Sequence, residues 1–281
     1  MHAGLFLFPT DECPDPAELG RIAEGNGFES LFFPEHTHIP ASRESPWPGG
    51  AELPREYTRS HDLFVALTAA ACATTTLRVG AGICLVPQHD PIVTAKTVAT
   101  LDHISGGRLI FGVGAGWNRE EVTNHGVEPR ERFAVMRERV QAMQALWTQD
   151  EASFHGDHVE FDRVWSWPKP LQQPYPELLL GGHGPTVIDR TLEYADGWIP
   201  TATNDDDALL ERVAELRARA AEQGRRASVT ILAVGTQPER LERYAQAEID
   251  RVLFYLPTVD DAATRARAEK IAAIRRDVLG S

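Results

Sequence analysis

The sequence has few cysteines and few basic residues, and it contains neither a long basic run nor an apolar segment of membrane-spanning length. Its three cysteines, Cys13, Cys72 and Cys84, are too far apart to form a Cys-x-x-Cys metal or redox pair. With 28 Lys and Arg against 41 Asp and Glu, the formal net charge of −13 repels nucleic acid and anionic membranes. We therefore expect no nucleic-acid or membrane partner, and a reducing, cytoplasmic location.

Short apolar runs alternate with longer amphipathic stretches along the chain, a pattern typical of parallel β-α units. The first run ends at Pro9, too early for a signal or spanning segment. Most runs are apolar throughout, as expected for strands that are buried on both faces. The predicted strands are Ala3–Phe8, Ser30–Phe33, Leu77–Leu85, Leu109–Val113, Leu178–Gly181, Gly197–Pro200, Val229–Val234 and Arg251–Leu256. The predicted helices are Asp15–Asn26, His61–Ala73, Pro91–His103, Arg130–Trp147, Pro185–Tyr194, Asp205–Gln223, Pro238–Ala247 and Asp260–Leu279.

Eight strands and eight helices predict a single-domain (β/α)₈ TIM barrel spanning residues 1–281. A doubly wound open sheet shows the same alternation, but the chain has no early Gly-rich dinucleotide-binding turn. Two segments depart from the repeat, and we interpret residues 34–60 and 150–176 as insertions. Within the second, Phe154–Phe161 alternates between apolar and polar residues like a small hairpin.

Polar side chains follow the second predicted strand, at the end where barrel enzymes place their reacting groups. Glu35 and His36 stand directly after it, and an imidazole can hold or release a proton near neutral pH. We expect both to be catalytic, although a loop histidine bonded to backbone is the simpler alternative. His36-x-His38 also resembles half of a metal site, which leaves a metal-dependent hydrolase open. The later strand ends offer mainly Gly, Pro and Trp, so we predict no metal ligand set.

Glycines stand at the ends of the third, fourth and fifth predicted strands. The first two groups are Gly82, beside Ile83, and then Gly112, Gly114 and Gly116. Such positions let a planar ligand approach the backbone. The third group, Gly181-Gly182-His183-Gly184, leads into a predicted helix, whose first N–H groups can bind an anion. Rim packing and ordinary tight turns are the alternatives.

Together these strand ends resemble the luciferase-like monooxygenase superfamily, and within it the oxidoreductases that use the deazaflavin coenzyme F420. The stretches that carry the resemblance lie within residues 1–200 and are PEHTHIP, GAGICLVPQHDPIVTAKTVATLDHISGGRLIFGVGAGWNREE, FHGDHVEFDRVWSWPKP and LLLGGHGPTVIDRTLEYADGWIP. The resemblance implies a flavin-like ring across the strand ends and a non-prolyl cis peptide at Gly82-Ile83. It also implies that Gly112–Gly116 passes beneath the ring, that Gly181–Gly184 binds the cofactor phosphate, and that His36 donates or accepts a proton.

The resulting hypothesis is hydride transfer between F420 and a small organic substrate. An FMN-dependent monooxygenase is the nearest alternative, and a non-catalytic ligand-binding barrel is another. Trp117 stands where some F420-dependent dehydrogenases carry a carboxylate, so the resemblance does not identify the substrate. Leu63–Ala73 and Ile92–Leu101 are apolar on more than one face, which predicts helices buried in a homodimer.

Overall fold

Eight parallel strands close into a barrel in the computed structural model, which describes residues 1–50 and 52–280. The strands in chain order are β1 (His2–Phe6), β2 (Ser30–Phe33), β3 (Arg78–Leu85), β4 (Leu109–Gly114), β5 (Ala152–His155), β6 (Glu160–Val164), β7 (Glu177–Gly181), β8 (Gly197–Ile199), β9 (Ser228–Val234) and β10 (Arg251–Tyr255). All but β5 and β6 belong to the barrel, where β10 pairs with β1 to close the ring. The predicted TIM barrel is confirmed, and all eight predicted strands are present.

Helices connect consecutive barrel strands. They are α1 (Pro16–Gly25), α2 (Leu63–Cys72), α3 (Pro91–Ser105), α4 (Arg119–Asn124), α5 (Arg132–Thr148), α6 (Val187–Tyr194), α7 (Asp206–Glu222), α8 (Pro238–Gln246) and α9 (Asp261–Leu279). Several begin at an Asp or Asn whose side chain accepts a hydrogen bond from the third helical N–H, which stabilises the helix start. These caps are Asp15, Asp62, Asp90, Asn118, Asp205 and Asp260. All eight predicted helices are present, and α4 is an unpredicted addition.

Apolar side chains from alternate strand positions form two layers. One cluster draws single residues from most barrel strands and fills the barrel interior: Phe6, Phe32, Ile110, Leu179, Ile199, Leu232 and Leu253. The residues between them, such as Leu5, Leu31 and Phe111, belong to a larger cluster shared with the surrounding helices. The strands are therefore buried on both faces, which explains their continuous apolar runs.

The N-terminal end of the barrel is closed by charged side chains. The Arg251 guanidinium, whose side chain is 4% exposed, donates to Glu29 at 2.8 and 2.9 Å. Arg251 Nη1 lies 3.8 Å from Glu177 Oε2, and Arg78 Nη1 lies 3.8 Å from the same oxygen. The other oxygen of Glu177, Oε1, accepts a hydrogen bond from Ser228 Oγ at 2.7 Å. These groups come from distant parts of the sequence, and they tie the strand starts together.

The two predicted insertions have different structures. Residues 34–50 and 52–60 are mainly loop, with a 3₁₀ turn at Arg55–Thr58. In the second segment β5 and β6 pair antiparallel, with Phe154 opposite Phe161, so the predicted hairpin is confirmed. Among the helices of residues 1–50 and 52–280, none combines the length and apolarity needed to cross a bilayer.

Candidate active site

A cavity of about 420 Å³ opens where the barrel strands end. Its wall contains nine of the residues that the sequence predicted: Glu35, His36, Gly82, Ile83, Gly114, Gly116, Gly181, Gly182 and His183. Phe8, Tyr57, Trp117, Phe133 and Leu232 add aromatic and apolar surface. This size and this mixture of apolar surface with a few polar groups are typical of a small-molecule or cofactor site.

Glycines make room for the Ile83 side chain at this end of the barrel. A Cβ on Gly114 would overlap Ile83 Cδ1, and one on Gly181 would lie 3.0 Å from the same atom. The Gly82-Ile83 peptide is cis, as the resemblance implies. Gly112 is not part of the cavity wall, because it packs below the wall, where a Cβ would overlap the Ala81 carbonyl oxygen. The close packing at β3, β4 and β7 therefore requires residues without side chains.

His36 is held between a carboxylate and an indole. Its Nδ1 lies 2.9 Å from Glu121 Oε2, and the two side chains are 6% and 0% exposed. Trp117 Nε1 donates to His36 Nε2 at 3.3 Å. An indole N–H can only donate, so Nε2 is the acceptor and Nδ1 carries the hydrogen that is donated to Glu121. This arrangement fixes one tautomer of His36 and leaves the acceptor nitrogen on the cavity side.

Glu121 reaches His36 because of how α4 begins. Asn118, the N-cap of α4, accepts a hydrogen bond from Glu121 N at 3.1 Å and so fixes the first turn. Glu121 was not among the residues predicted from the sequence, and Trp117 was not predicted to lie beside His36. An Asn followed three residues later by Glu is a helix-start signal, and it could have revealed α4 after the fourth-strand glycines.

Glu35 is bonded to His89 and not to the neighbouring His36. Its Oε1 lies 2.8 Å from His89 Nε2, and its Oε2 accepts from Leu85 N at 2.6 Å. Burial disfavours the charged form of His89, but the hydrogen bond and negative charge of Glu35 outweigh burial and raise the pKa of His89. The pair joins the end of β2 to the segment after β3. We therefore interpret the main role of Glu35 as holding the cavity wall in place.

The Nδ1 atoms of His36 and His38 contact different groups. His38 Nδ1 lies 2.9 Å from Thr37 Oγ1, while His36 Nδ1 contacts Glu121. A different group, Glu35, Cys84 and His89, brings its polar atoms within 4.8 Å of one another. Burial is the main cause of the raised pKa of the Cys84 thiol, and both Glu35 oxygens already accept or share hydrogen bonds. We interpret this group as a hydrogen-bonded support.

The glycine-rich loop after β7 has left-handed backbone and open space beside it. Gly182 has a φ of +112°, and no atom would lie within 4 Å of a Cβ placed there. Arg212 donates to the carbonyl oxygens of His183 at 2.6 Å and Gly184 at 2.9 Å, which holds the loop. Gly184 is outside the cavity wall. Burial, together with the Arg212 charge, lowers the pKa of His183. The Thr186 side chain does not cap α6, and Val187 N already donates to Gly184 O at 3.1 Å, so the N–H groups that can bind an anion are those that follow Val187.

Comparisons with known proteins agree with this architecture. The model of the luciferase-like monooxygenase family matches residues 9–279. The chain is 41% identical over 280 residues to an uncharacterised protein of Mycobacterium tuberculosis, covering 97% of this chain and 98% of that protein. An FMNH₂-dependent dimethylsulfone monooxygenase of Pseudomonas putida is 32% identical over 237 residues, covering 83% of this chain and 61% of the relative.

A solved structure with the same fold contains a deazaflavin. It is an F420-dependent secondary alcohol dehydrogenase in complex with an F420-acetone adduct. It aligns with a TM-score of 0.75 and 20% identity, covering 99% of this chain and 98% of that chain. At this identity the likeness shows a shared fold, while the family match extends over nearly the whole sequence. The chain therefore belongs to the luciferase-like monooxygenase family.

Proposed function

We propose that this chain is an oxidoreductase that transfers a hydride between coenzyme F420 and a small organic substrate. The observation that carries the proposal is the placement of His36, paired with the buried Glu121, in the wall of a glycine-lined cavity. The proposed cofactor, when bound, supplies the hydride donor or acceptor. The protein then has to position the ring, bind the phosphate and move one proton.

The residues present fit such a cofactor. Gly114, Gly181 and Ile83 give a side-chain-poor surface for a planar ring. The open backbone at Gly182 and the uncapped start of α6 offer N–H groups to a phosphate. Gly116, His183 and Gly82 would complete the ring and phosphate contacts, and Gly112 and Gly184 would act from behind the wall.

His36 is the group we assign to proton transfer. A substrate hydroxyl that replaces Trp117 as the partner of Nε2 would give its proton to this nitrogen when the substrate is oxidised. The buried Glu121 carboxylate would balance the resulting positive charge. In the opposite direction the same nitrogen returns the proton. The Tyr57 ring, whose centroid lies 5.2 Å from that of His36, would help to exclude water.

Fluorescence titration with F420 and with FMN tests the assignment, because the two cofactors differ in the length and charge of their tails. We expect tighter binding of F420, followed by a substrate-dependent change in its absorbance. Tighter binding of FMN, with oxygen consumption by the reduced protein, would favour the monooxygenase alternative that the Pseudomonas relative supports. Binding of neither cofactor would contradict the proposal.

We also propose that the chain forms a homodimer through α2 and α3 in a reducing, cytoplasmic location. Val65 on α2 is 70% exposed and Val93 on α3 is 64% exposed, although both are apolar. Exposed apolar side chains on adjacent helices are typical of a protein contact surface. Sedimentation equilibrium tests the dimer, and Val65→Asp should shift the protein to a monomer if these helices form the contact.

A further inference from the structure

We propose that Arg132 and Arg190 form a cationic clamp for the anionic tail of the cofactor, and that this clamp selects the longer F420 tail over FMN. The inference rests on the proposed function, because it takes the flavin-like ring to occupy the cavity beside His36. It adds a second anion-binding site beyond the glycine-rich loop, made from side chains of α5 and α6.

The two guanidinium groups stack on one residue of the cavity wall. That residue is Phe133, and the Arg190 guanidinium carbon lies 4.0 Å from the centroid of its ring. The Arg132 guanidinium carbon lies 4.5 Å from the same centroid. Both positive charges therefore lie directly behind Phe133, outside the cavity wall itself, where an anionic tail that extends past Phe133 would reach them.

The clamp residues have unused hydrogen-bonding capacity. Within residues 1–50 and 52–280, neither Arg132 nor Arg190 has a carboxylate oxygen within 4.0 Å. Arg132 Nη1 donates to Pro129 O at 2.6 Å, but its buried Nε has no partner. Burial is the main cause of the lowered pKa of Arg132, and the nearby positive charges of Arg119 and Arg190 lower it further. A bound anion would offset both the like-charge repulsion and the missing hydrogen bond.

The position of the clamp indicates which anion it binds. Arg190 is the fourth residue of α6 and stands six residues after Gly184, the last residue of the glycine-rich loop that we assign to a phosphate. An FMN tail ends at that phosphate, whereas an F420 tail continues with further carboxylates and can extend to the clamp. The planar guanidinium group suits carboxylate and phosphate oxygens through paired N–H donors. The clamp therefore favours the more anionic tail.

The test compares dissociation constants for F420, FMN and riboflavin, measured by fluorescence titration at low and high salt. In the double variant Arg132→Gln/Arg190→Gln, we expect affinity for F420 to fall by about tenfold or more, as for loss of charge-assisted contacts. The change should be smaller for FMN and absent for riboflavin. The salt dependence of F420 binding should also weaken.

A matched control removes two arginines elsewhere. In Arg21→Gln/Arg163→Gln the net charge changes equally, but these side chains are 56% and 73% exposed and pair with Glu18 and Glu151, away from α5 and α6. F420 binding equal to that of the control, at both salt concentrations, would overturn the clamp. Arg190→Lys keeps the charge and should retain part of the affinity for F420. Circular dichroism of each variant shows whether it is folded, so that loss of charge can be distinguished from misfolding. Failure of the wild-type protein to bind F420 would instead overturn the proposed function, and the clamp with it.

Discussion

The two ends of the barrel use charged side chains in opposite ways. At the N-terminal end, Arg251 forms ion pairs with Glu29 and Glu177, so each buried or half-buried charge has an opposite charge beside it. At the C-terminal end, His36 has one nitrogen bonded to Glu121, while the other accepts from Trp117, a second residue of the cavity wall. Paired charges at one end hold strands together, whereas the histidine at the other end can exchange its indole partner for a substrate.

Charged side chains alone therefore do not mark a functional site in this barrel. Arg251, Glu29 and Glu177 come from different strand starts, and their contacts join those strands. The opposite rim is made of glycine backbone, which removes side chains and leaves space for a ligand. Changes at the first end should alter stability, and changes at the second should alter chemistry.

The largest effect should come from removing the proton-transfer group. His36→Ala should lower turnover by about 10²- to 10⁴-fold, the usual contribution of a general acid or base. Cofactor affinity should change little, because His36 is not among the groups assigned to the phosphate. Steady-state kinetics and cofactor titration measure the two effects separately. His38→Ala is the control, since His38 bonds Thr37 and Asn124 instead; unchanged turnover in His36→Ala would remove His36 from the mechanism.

At the opposite end, Arg251→Met should mainly change stability. Removing one partner of a buried ion pair leaves the other charge uncompensated and typically costs about 3–5 kcal/mol. Urea denaturation should show this loss, while turnover of the folded variant stays near that of the wild type. Arg226→Met is the matched control, because Arg226 is 75% exposed and its pair with Asp250 should contribute little. A large fall in turnover without destabilisation would contradict the division between the two ends.

A smaller effect on turnover is expected at the partner of His36. Glu121→Gln keeps a hydrogen-bond acceptor but removes the charge that would stabilise protonated His36. A hydrogen bond to a charged group contributes about 1.5–3 kcal/mol, so turnover should fall by about 10- to 100-fold. Glu128→Gln makes the same charge change at an exposed position. Equal turnover in the two variants would show that Glu121 serves packing only.

The barrel was predictable from sequence because its signals are local and repeated. Each strand is a continuous apolar run, and each predicted helix is long enough to show a period. Glu121 was not predicted, because α4 has six residues and its contact with His36 joins positions 85 apart in sequence. For the same reason the contact of Glu35 with His89 was not predicted, because the two residues lie 54 positions apart.

The smallest expected effect concerns Glu35 and His89, a charged pair at the functional end that we interpret as structural. Because Glu35 raises the pKa of His89, the folded protein binds more protons than the unfolded chain between the ordinary histidine pKa and the raised one. The stabilisation is therefore complete below about pH 6.5 and falls as the pH rises through the folded pKa. The difference in free energy of unfolding between the wild type and His89→Gln should shrink as the pH rises above about 6.5, as measured by urea denaturation. His155→Gln, at an exposed position, should show no such trend. If the difference in free energy of unfolding stays constant with pH, His89 contributes through packing and neutral hydrogen bonding. The C-terminal end would then contain no stabilising charged pair at Glu35 and His89, and the contrast with the N-terminal end would be sharper.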